Sequence, residues 1–389
     1  MNFDESEQTV LLRDTLRRFL DKELPRELAR SLDREASHSR EAFRKLCDLG
    51  ITALVVPEEY GGSGVDIMSA IVSIEELAKR GTSLAGPFIH CAFYGALNIL
   101  ENGNEEQKQS LLPRLARGEV LFAYGLSEPD VGGDLASAAV TATLSEDGGK
   151  VVINGTKRWV TGARIADYIY TLVRSGPRDD RYRNLSLVLV PTASRGLSIV
   201  DIDHIGLRYA ETTDVIFDDV EVPAGNIVGG PDAWNRGWPM LVGRGLDIER
   251  LEITATAFGI ASAAVEDAWR YAQERAQFGR KICAHQAVRF MLVDAKTKLE
   301  ACRHMLYHAA WLASEHRDCS VESSMAKLFI GDTAVDIVLA CQRVMGAYGC
   351  ARDYDMERYV RDIVCMPIVG GSSNMQKHNI SNRLGLPAK

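Results

Sequence analysis

Val151-Val152-Ile153-Asn154-Gly155-Thr156-Lys157-Arg158-Trp159-Val160-Thr161 is the stretch on which the fold class turns. Two β-rich runs, Val151 to Ile153 and Trp159 to Thr161, flank Asn154-Gly155, the dipeptide best suited to a two-residue hairpin turn. The expectation is a hairpin, and with it a sheet in the middle of the chain. Leu185 to Val190 and Val215 to Val222 are further β-branched runs. Pro191 and Pro223 close them, because proline cannot donate to a ladder.

Outward from this sheet the periodicity changes. Upstream, Ser6 to Leu20, Glu41 to Leu49, Met68 to Lys79 and Asn104 to Ala116 read as helices, interrupted by turn residues at Pro57 to Gly64. Downstream, Val288, Met291, Leu292, Ala295, Leu299, Cys302, Leu306 and Ala309 recur every three or four residues. That spacing lays one apolar face along a long helix, and such helices in series suggest a bundle. The order is helices over 1–120, sheet over 121–231 and helices over 232–389, an α+β chain.

Composition excludes several functions. The chain has 389 residues, 46% hydrophobic and 25% charged, an ordinary globular balance. Its net charge of −8 is a poor match to nucleic acid, and no run of five basic residues offsets it. No secretory signal precedes the first helix, and no apolar run reaches the roughly 18–20 residues that span a bilayer. Eight scattered cysteines without a CxxC fit reduced thiols, so the expected location is cytoplasmic. His304 and His308 have helical metal spacing but no third ligand, and no metal is expected.

Several stretches carry more specific information. Gly125-Leu126-Ser127-Glu128-Pro129-Asp130-Val131-Gly132-Gly133-Asp134 joins a hydroxyl, a turn and paired glycines. Glycines let backbone N–H groups approach an anion closely. Lys157 to Ala163, Asp219 to Gly229, Glu274-Arg275-Ala276-Gln277-Phe278-Gly279, His285-Gln286, Met345 to Gly349, Arg361-Asp362 and Gly370 to Gln376 follow in order. Together, from Pro57 to the C-terminus, they resemble the acyl-CoA dehydrogenase family. The resemblance implies an N-terminal helical domain, a central β-barrel-like or sandwich domain and a C-terminal four-helix bundle. It also implies FAD, a homotetramer, an acyl-CoA substrate, fatty acid metabolism, and electron transfer to an electron-transferring flavoprotein.

The same resemblance assigns residues. Tyr124, Leu126 and Ser127 would contact the flavin, Gly132 and Gly133 its phosphates, and Trp159 and Thr161 would cover the ring. On pattern alone Trp159 reads as a cross-strand core aromatic. Arg275, Phe278 and Gln286 would reach the FAD of a neighbouring subunit, a guanidinium suiting a pyrophosphate. Arg343, Gly346, Ala347, Ser372 and Asn374 complete the cofactor set. Departures stand at Gly133, where the family has a hydroxyl residue, at Val131, at Arg343 in place of a glutamine, and at Ala347 in place of a glycine.

Dehydrogenation needs a carboxylate to take an α-proton acidified by hydrogen bonds to the thioester carbonyl. The position that holds it in many family members is Gly370 here, which can offer only its N–H. Leu246-Asp247-Ile248-Glu249-Arg250-Leu251 supplies another carboxylate. Isovaleryl-CoA and long-chain acyl-CoA dehydrogenases put their base at the position of Glu249, with an arginine, here Arg250, beside it. Glu249 is therefore the expected base, in an apolar pocket that raises its pKa. An ordinary helical glutamate would instead pair at the surface with a neighbour such as Arg250. The alternatives are a reductase similar to the crotonobetainyl-CoA group, a dehydrogenase of carrier-protein-tethered acyl groups, or a non-catalytic flavoprotein.

Overall fold

The computed structural model describes residues 5–386. The chain opens with α1 (Glu7–Glu23), α2 (Arg26–Arg34), α3 (Arg40–Asp48), α4 (Ile67–Lys79), α5 (Thr82–Ile89), α6 (Asn98–Asn102) and α7 (Glu105–Ala116). Side-chain caps set where several begin. Ser6 accepts from Thr9 N–H at 3.1 Å, Ser39 from Ala42 N–H at 3.1 Å, and Asn104 and Gln107 form a reciprocal capping box. The turn at Pro57 is closed by a ribbon of β1 (Val55–Val56) and β2 (Gly64–Val65).

A π-helical segment, His90–Leu97, joins α5 to α6, giving one helix over Thr82–Asn102. The sequence reading expected no apolar stretch of this length. By length and a mean hydropathy of 1.3 this helix could cross a membrane, yet 89% of its most apolar window is buried inside the protein. It is a core helix, apolar all round because protein surrounds it.

The middle of the chain is a seven-stranded sheet: β3 (Phe122–Gly125), β4 (Thr141–Leu144), β5 (Lys150–Thr161), β6 (Tyr168–Arg174), β7 (Leu185–Pro191), β8 (Leu197–Ile202) and β9 (Thr212–Pro223). Its order is β3-β6-β4-β5-β9-β8, with β7 paired to β6. Here the structure corrects the sequence. Asn154-Gly155 makes no hairpin; residues 150–161 are one continuous strand. The turn lies earlier, between β4 and β5, where Gly148 takes φ +70° and donates to the Ser145 carbonyl at 2.8 Å. Asn154-Gly155 forms a bulge against β9 instead. The Asn154 amide donates to the Asp219 carboxylate and accepts from Asp219 N–H, both at 2.9 Å. A bulge uses the same glycine freedom, here φ +126°, to bend a strand rather than reverse it.

The chain ends in helices: α8 (Gly237–Val242), α9 (Arg244–Glu274), α10 (Gln286–Ser314), α11 (Ser320–Met345), α12 (Met356–Ile363) and α13 (Ser373–Arg383). A two-stranded ribbon, β10 (Ala276–Gln277) and β11 (Arg280–Lys281), separates α9 from α10. The face anticipated on α10 is buried from Leu292 to Ala309. α9, α10 and α11 pack together, α4 lies on α9, and α12 and α13 pack on α11. Polar ties join the blocks. Asp362 accepts from Leu207 N–H at 2.5 Å, and Arg26 bridges Asp267 and Asp355 at 2.7 and 2.6 Å.

Candidate active site

Glu249 lies one turn into α9. Its carboxyl faces a narrow crevice lined by Phe93, Tyr94, Leu97, Asn98, Glu101, Tyr124, Gly245 and Ile248. Burial raises its pKa to about 7, against smaller opposing effects of Arg250 and Lys327. Arg250 turns instead to Asp247, whose other oxygen accepts from Ser320 Oγ at 2.7 Å. A surface pair between Glu249 and Arg250 is therefore not what the side chains form.

The opposite wall comes from the π-helical segment. A π turn shifts the register of a helix and is common at functional sites. Here it brings Tyr94 against Tyr124, ring centroids 4.0 Å apart and 18° from parallel. Asn98 fixes this wall, its amide donating to the Phe93 and Tyr94 carbonyls and to the Tyr124 hydroxyl. An aromatic wall beside a desolvated carboxyl suits an apolar ligand and a proton transfer near neutral pH.

The turn before α13 carries Gly370 and Gly371, at φ +61° and +83°. It is anchored from beneath by Lys327, whose Nζ donates to the Met366 carbonyl at 2.6 Å. Burial lowers the Lys327 pKa to about 8, although Glu249 pulls it upward. Ser372 caps α13, and Asn374 is exposed on its first turn.

The glycine-rich loop after β3 is held by a buried ion pair. Lys157 Nζ meets Glu128 at 2.8 Å and the Leu126 carbonyl at 2.9 Å. The Glu128 carboxylate also accepts from Ala139 and Val140 N–H at 2.7 and 3.0 Å. The Ser127 carbonyl accepts from Arg158 N–H, setting the loop beside β5. On β5, Trp159 is not a core aromatic. It takes φ +65° and is 56% exposed, with the Arg158 guanidinium 4.9 Å from its ring centroid. Thr161 shares a hydroxyl hydrogen bond of 2.9 Å with Thr212. Gly132 faces open space, whereas a Cβ on Gly133 would fall 2.8 Å from Met375 Sδ on α13. The loop and the C-terminal helix thus meet at Gly133.

Comparison with known proteins decides the family. Residues 6–119, 123–220 and 235–385 match the N-terminal, middle and C-terminal domains of acyl-CoA dehydrogenase respectively. The chain belongs to the acyl-CoA dehydrogenase family. A probable acyl-CoA dehydrogenase of Bacillus subtilis is 34% identical over 99% of this chain and 100% of the relative. The CarC subunit of a caffeyl-CoA reductase-Etf complex from Acetobacterium woodii is 32% identical over 97% of this chain and 98% of its own. The structure of butyryl-CoA dehydrogenase from Megasphaera elsdenii superposes with a TM-score of 0.93 at 29% identity, covering 99% of this chain and all of that one.

Acyl-CoA dehydrogenases are oxidoreductases acting on CH–CH bonds, and their cofactor is FAD. The residues present fit it. A large indole stands more than half uncovered on β5, next to Arg158, whose N–H holds the Ser127 loop beside the strand, and a Cβ on Gly132 in that loop would meet open space. The remaining cofactor positions lie elsewhere. Arg275 follows the last residue of α9, 26 residues from Glu249, or about 39 Å along the helix. There the Arg275 guanidinium lies 5.6 Å from the Tyr348 ring centroid, near Gly346 and Ala347. Phe278, at the tip of the β10–β11 ribbon, and Gln286, the first residue of α10, are exposed, as is Arg343 near the end of α11. One chain therefore brings together Tyr124 and Glu249, and Gly133 and Met375, while Arg275 and Tyr348 form a second group at the far end of α9.

Sequence reading missed Tyr94, Asn98 and Glu252. The first two sit in a segment whose apolar composition reads as core. Glu252 repeats Glu249 at a helical spacing of three, a signal that was available. Glu128 and Lys157 were quoted within motifs, but their pairing depends on the loop after β3 folding back onto β5.

Proposed function

We propose that this chain is an FAD-dependent acyl-CoA dehydrogenase in which Glu249 removes the α-proton of an acyl thioester. The observation that carries this reading is the half-buried Glu249 carboxyl in the crevice of Tyr94 and Tyr124, where desolvation raises its pKa to about 7, in a chain whose Gly370 turn has no carboxylate. A base poised near neutral pH holds an ionised fraction yet still binds a proton firmly enough to take it from carbon. The Gly370 N–H would donate to the thioester carbonyl, and the stacked Tyr94 and Tyr124 would exclude water from the reacting carbons. Arg250 would keep the base in place only indirectly, through the Asp247–Ser320 link at the same end of α9.

FAD would lie against Tyr124, Leu126, Ser127, Gly132, Gly133, Trp159, Thr161, Ser372 and Asn374, and it supplies the acceptor for the β-hydride. Arg275, Phe278, Gln286, Arg343, Gly346 and Ala347 would serve the FAD of another copy in a homotetramer, which their distance from Glu249 supports. An electron-transferring flavoprotein is the proposed redox partner, in keeping with the Etf complex of the caffeyl-CoA relative. That relative also favours a second reading, in which the enzyme reduces an enoyl thioester. A carboxyl with a pKa of about 7 can return a proton as readily as take one.

The test is flavin bleaching on mixing the holoenzyme with acyl-CoAs. Glu249→Gln is expected to keep its flavin and lose the bleaching rate by about 100-fold or more. Near-normal bleaching in that variant overturns the assignment of the base. Reoxidation of the reduced holoenzyme by enoyl-CoA separates the two directions.

A further inference from the structure

Lys327 is 1% exposed, on the face of α11 turned to the protein interior. Its one hydrogen bond among the described residues goes to a carbonyl, that of Met366, and not to a carboxylate. Lys157 is the contrast: just as buried, it has Glu128 at 2.8 Å. A buried ammonium without a contact partner is unfavourable, because nothing at short range offsets its desolvation. The carboxylates that act on Lys327 do so through space, from Glu249 on α9 and Asp332 on its own helix. Such a cation is retained where its charge or its bond serves the site.

Lys327 stands between the two elements that the reaction would use. Glu249 lies toward α9, and the segment from Met366 to Ser372 lies toward α13. That segment is tied to α11 at both ends. Lys327 Nζ donates to the Met366 carbonyl at 2.6 Å, and beyond the turn Ser373 Oγ donates to Asp332 at 2.6 Å. Between these ties Gly370 rests on Ile253, one turn past Glu249 on α9. The Gly370 N–H donates to nothing among the described residues. A free donor is thus presented beside the helix that carries Glu249.

Few charges face Glu249. Burial keeps the Tyr94 and Tyr124 phenols protonated, and burial with the nearness of Glu249 raises Glu252 well above the usual carboxylate range. Arg250 favours the Glu249 anion but is engaged with Asp247. Lys327 favours it too, with no carboxylate bonded to its own nitrogen. We propose that Lys327 is a positioning residue for the proton transfer, seating the turn that presents the Gly370 N–H and holding a positive charge near the Glu249 carboxylate. This rests on the reading of Glu249 as the base and of Gly370 as a donor to the thioester carbonyl. As the α-proton leaves, negative charge grows on that carbonyl oxygen, and a donor already fixed in place meets it without rearrangement.

The test is the pH dependence of flavin bleaching by butyryl-, hexanoyl- and octanoyl-CoA in Lys327→Met and Lys327→Gln holoenzymes. Without the cation the Glu249 carboxyl holds its proton more firmly. The midpoint of the bleaching rate against pH, about 7 in the unmutated enzyme, should rise by about one unit in both variants. A side chain that merely fills space predicts the opposite. Its loss would admit water, weaken the desolvation of Glu249 and move the midpoint down toward 4.5. On the plateau the limiting rate should fall at least about tenfold in Lys327→Met, while the half-saturating acyl-CoA concentration changes less than about threefold. Lys327→Gln, which keeps a donor without the charge, should lose less rate. If the methionine variant does not fold, the midpoint of the glutamine variant decides. A midpoint unchanged or lowered, or a limiting rate that stays normal, overturns the proposal. Bleaching by Glu249→Gln would instead sink the base on which the proposal rests. A Glu249→Gln enzyme that fails to bleach, beside Lys327 variants of normal midpoint, removes Lys327 alone.

Discussion

Gly370 packs against Ile253, so closely that a Cβ on Gly370 would lie 2.9 Å from Ile253 Cγ1. At φ +61° a side chain there also meets left-handed strain, costing roughly 1–2 kcal/mol. Putting a glutamate back into this turn should therefore not rescue a chain that has lost Glu249. Glu249→Gln/Gly370→Glu is expected to bleach no faster than Glu249→Gln and to melt several degrees lower. Recovery of bleaching in the double variant would show that the turn adapts and that the two carboxylate positions are interchangeable.

Activity should follow the ionisation of Glu249. With a pKa of about 7, kcat/KM should rise with pH and level off above that value. Stability should move the other way. The folded carboxyl binds its proton more tightly than the unfolded one, whose ordinary value is 4.5. The stabilisation is therefore complete below about pH 4.5 and is lost as pH climbs through about 7, amounting to a few kcal/mol. Glu249→Gln removes this loss. Its melting temperature should exceed that of the unmutated enzyme at pH 8 by more than it does at pH 5. A constant difference across this range would mean that Glu249 is not desolvated.

The Glu128–Lys157 pair supports the glycine-rich loop from inside the protein. Lys157→Met leaves a buried carboxylate with no cation, an error of about 3–5 kcal/mol. Glu128→Gln/Lys157→Met removes both charges and should recover a large part of that. The single variant is expected to melt much lower and to shed flavin on desalting, and the double variant to retain more of it. If both lose flavin equally, the pair is not what orders the loop.

Which parts of this were legible in the sequence follows from the range of the forces involved. Ser6, Ser39 and Asn104 cap helices through contacts three residues away, so the helix starts can be read locally. The face of α10 is likewise written in its spacing. Asn154-Gly155 misled because turn and bulge ask the same freedom of a glycine. The partner strand β9, some 60 residues on, decides between them. Glu249 became the proposed base through the absence of a carboxylate at Gly370, a comparison between two distant positions. Glu252 and Tyr94 escaped because burial beside a second element, not local pattern, makes them significant. The helix over Thr82–Asn102 escaped because its glycine, proline and polar residues break any single period.

Phe278 is 94% exposed, at φ +53° on the tip of the β10–β11 ribbon, and its nearest aromatic neighbour is His285 at 6.1 Å. A ring so presented stabilises nothing within its own chain. Burying it against another copy would contribute about 2 kcal/mol at each site. Arg275 and Gln286 flank the same ribbon, so assembly and cofactor retention should fail together. Phe278→Asp is expected to leave the helical content and the melting of the isolated chain unchanged. It should lower the mass seen by sedimentation and release flavin on dilution. A variant of full mass that holds its flavin would show that the ribbon faces solvent in the assembled enzyme, and that Arg275 and Gln286 serve no neighbouring site.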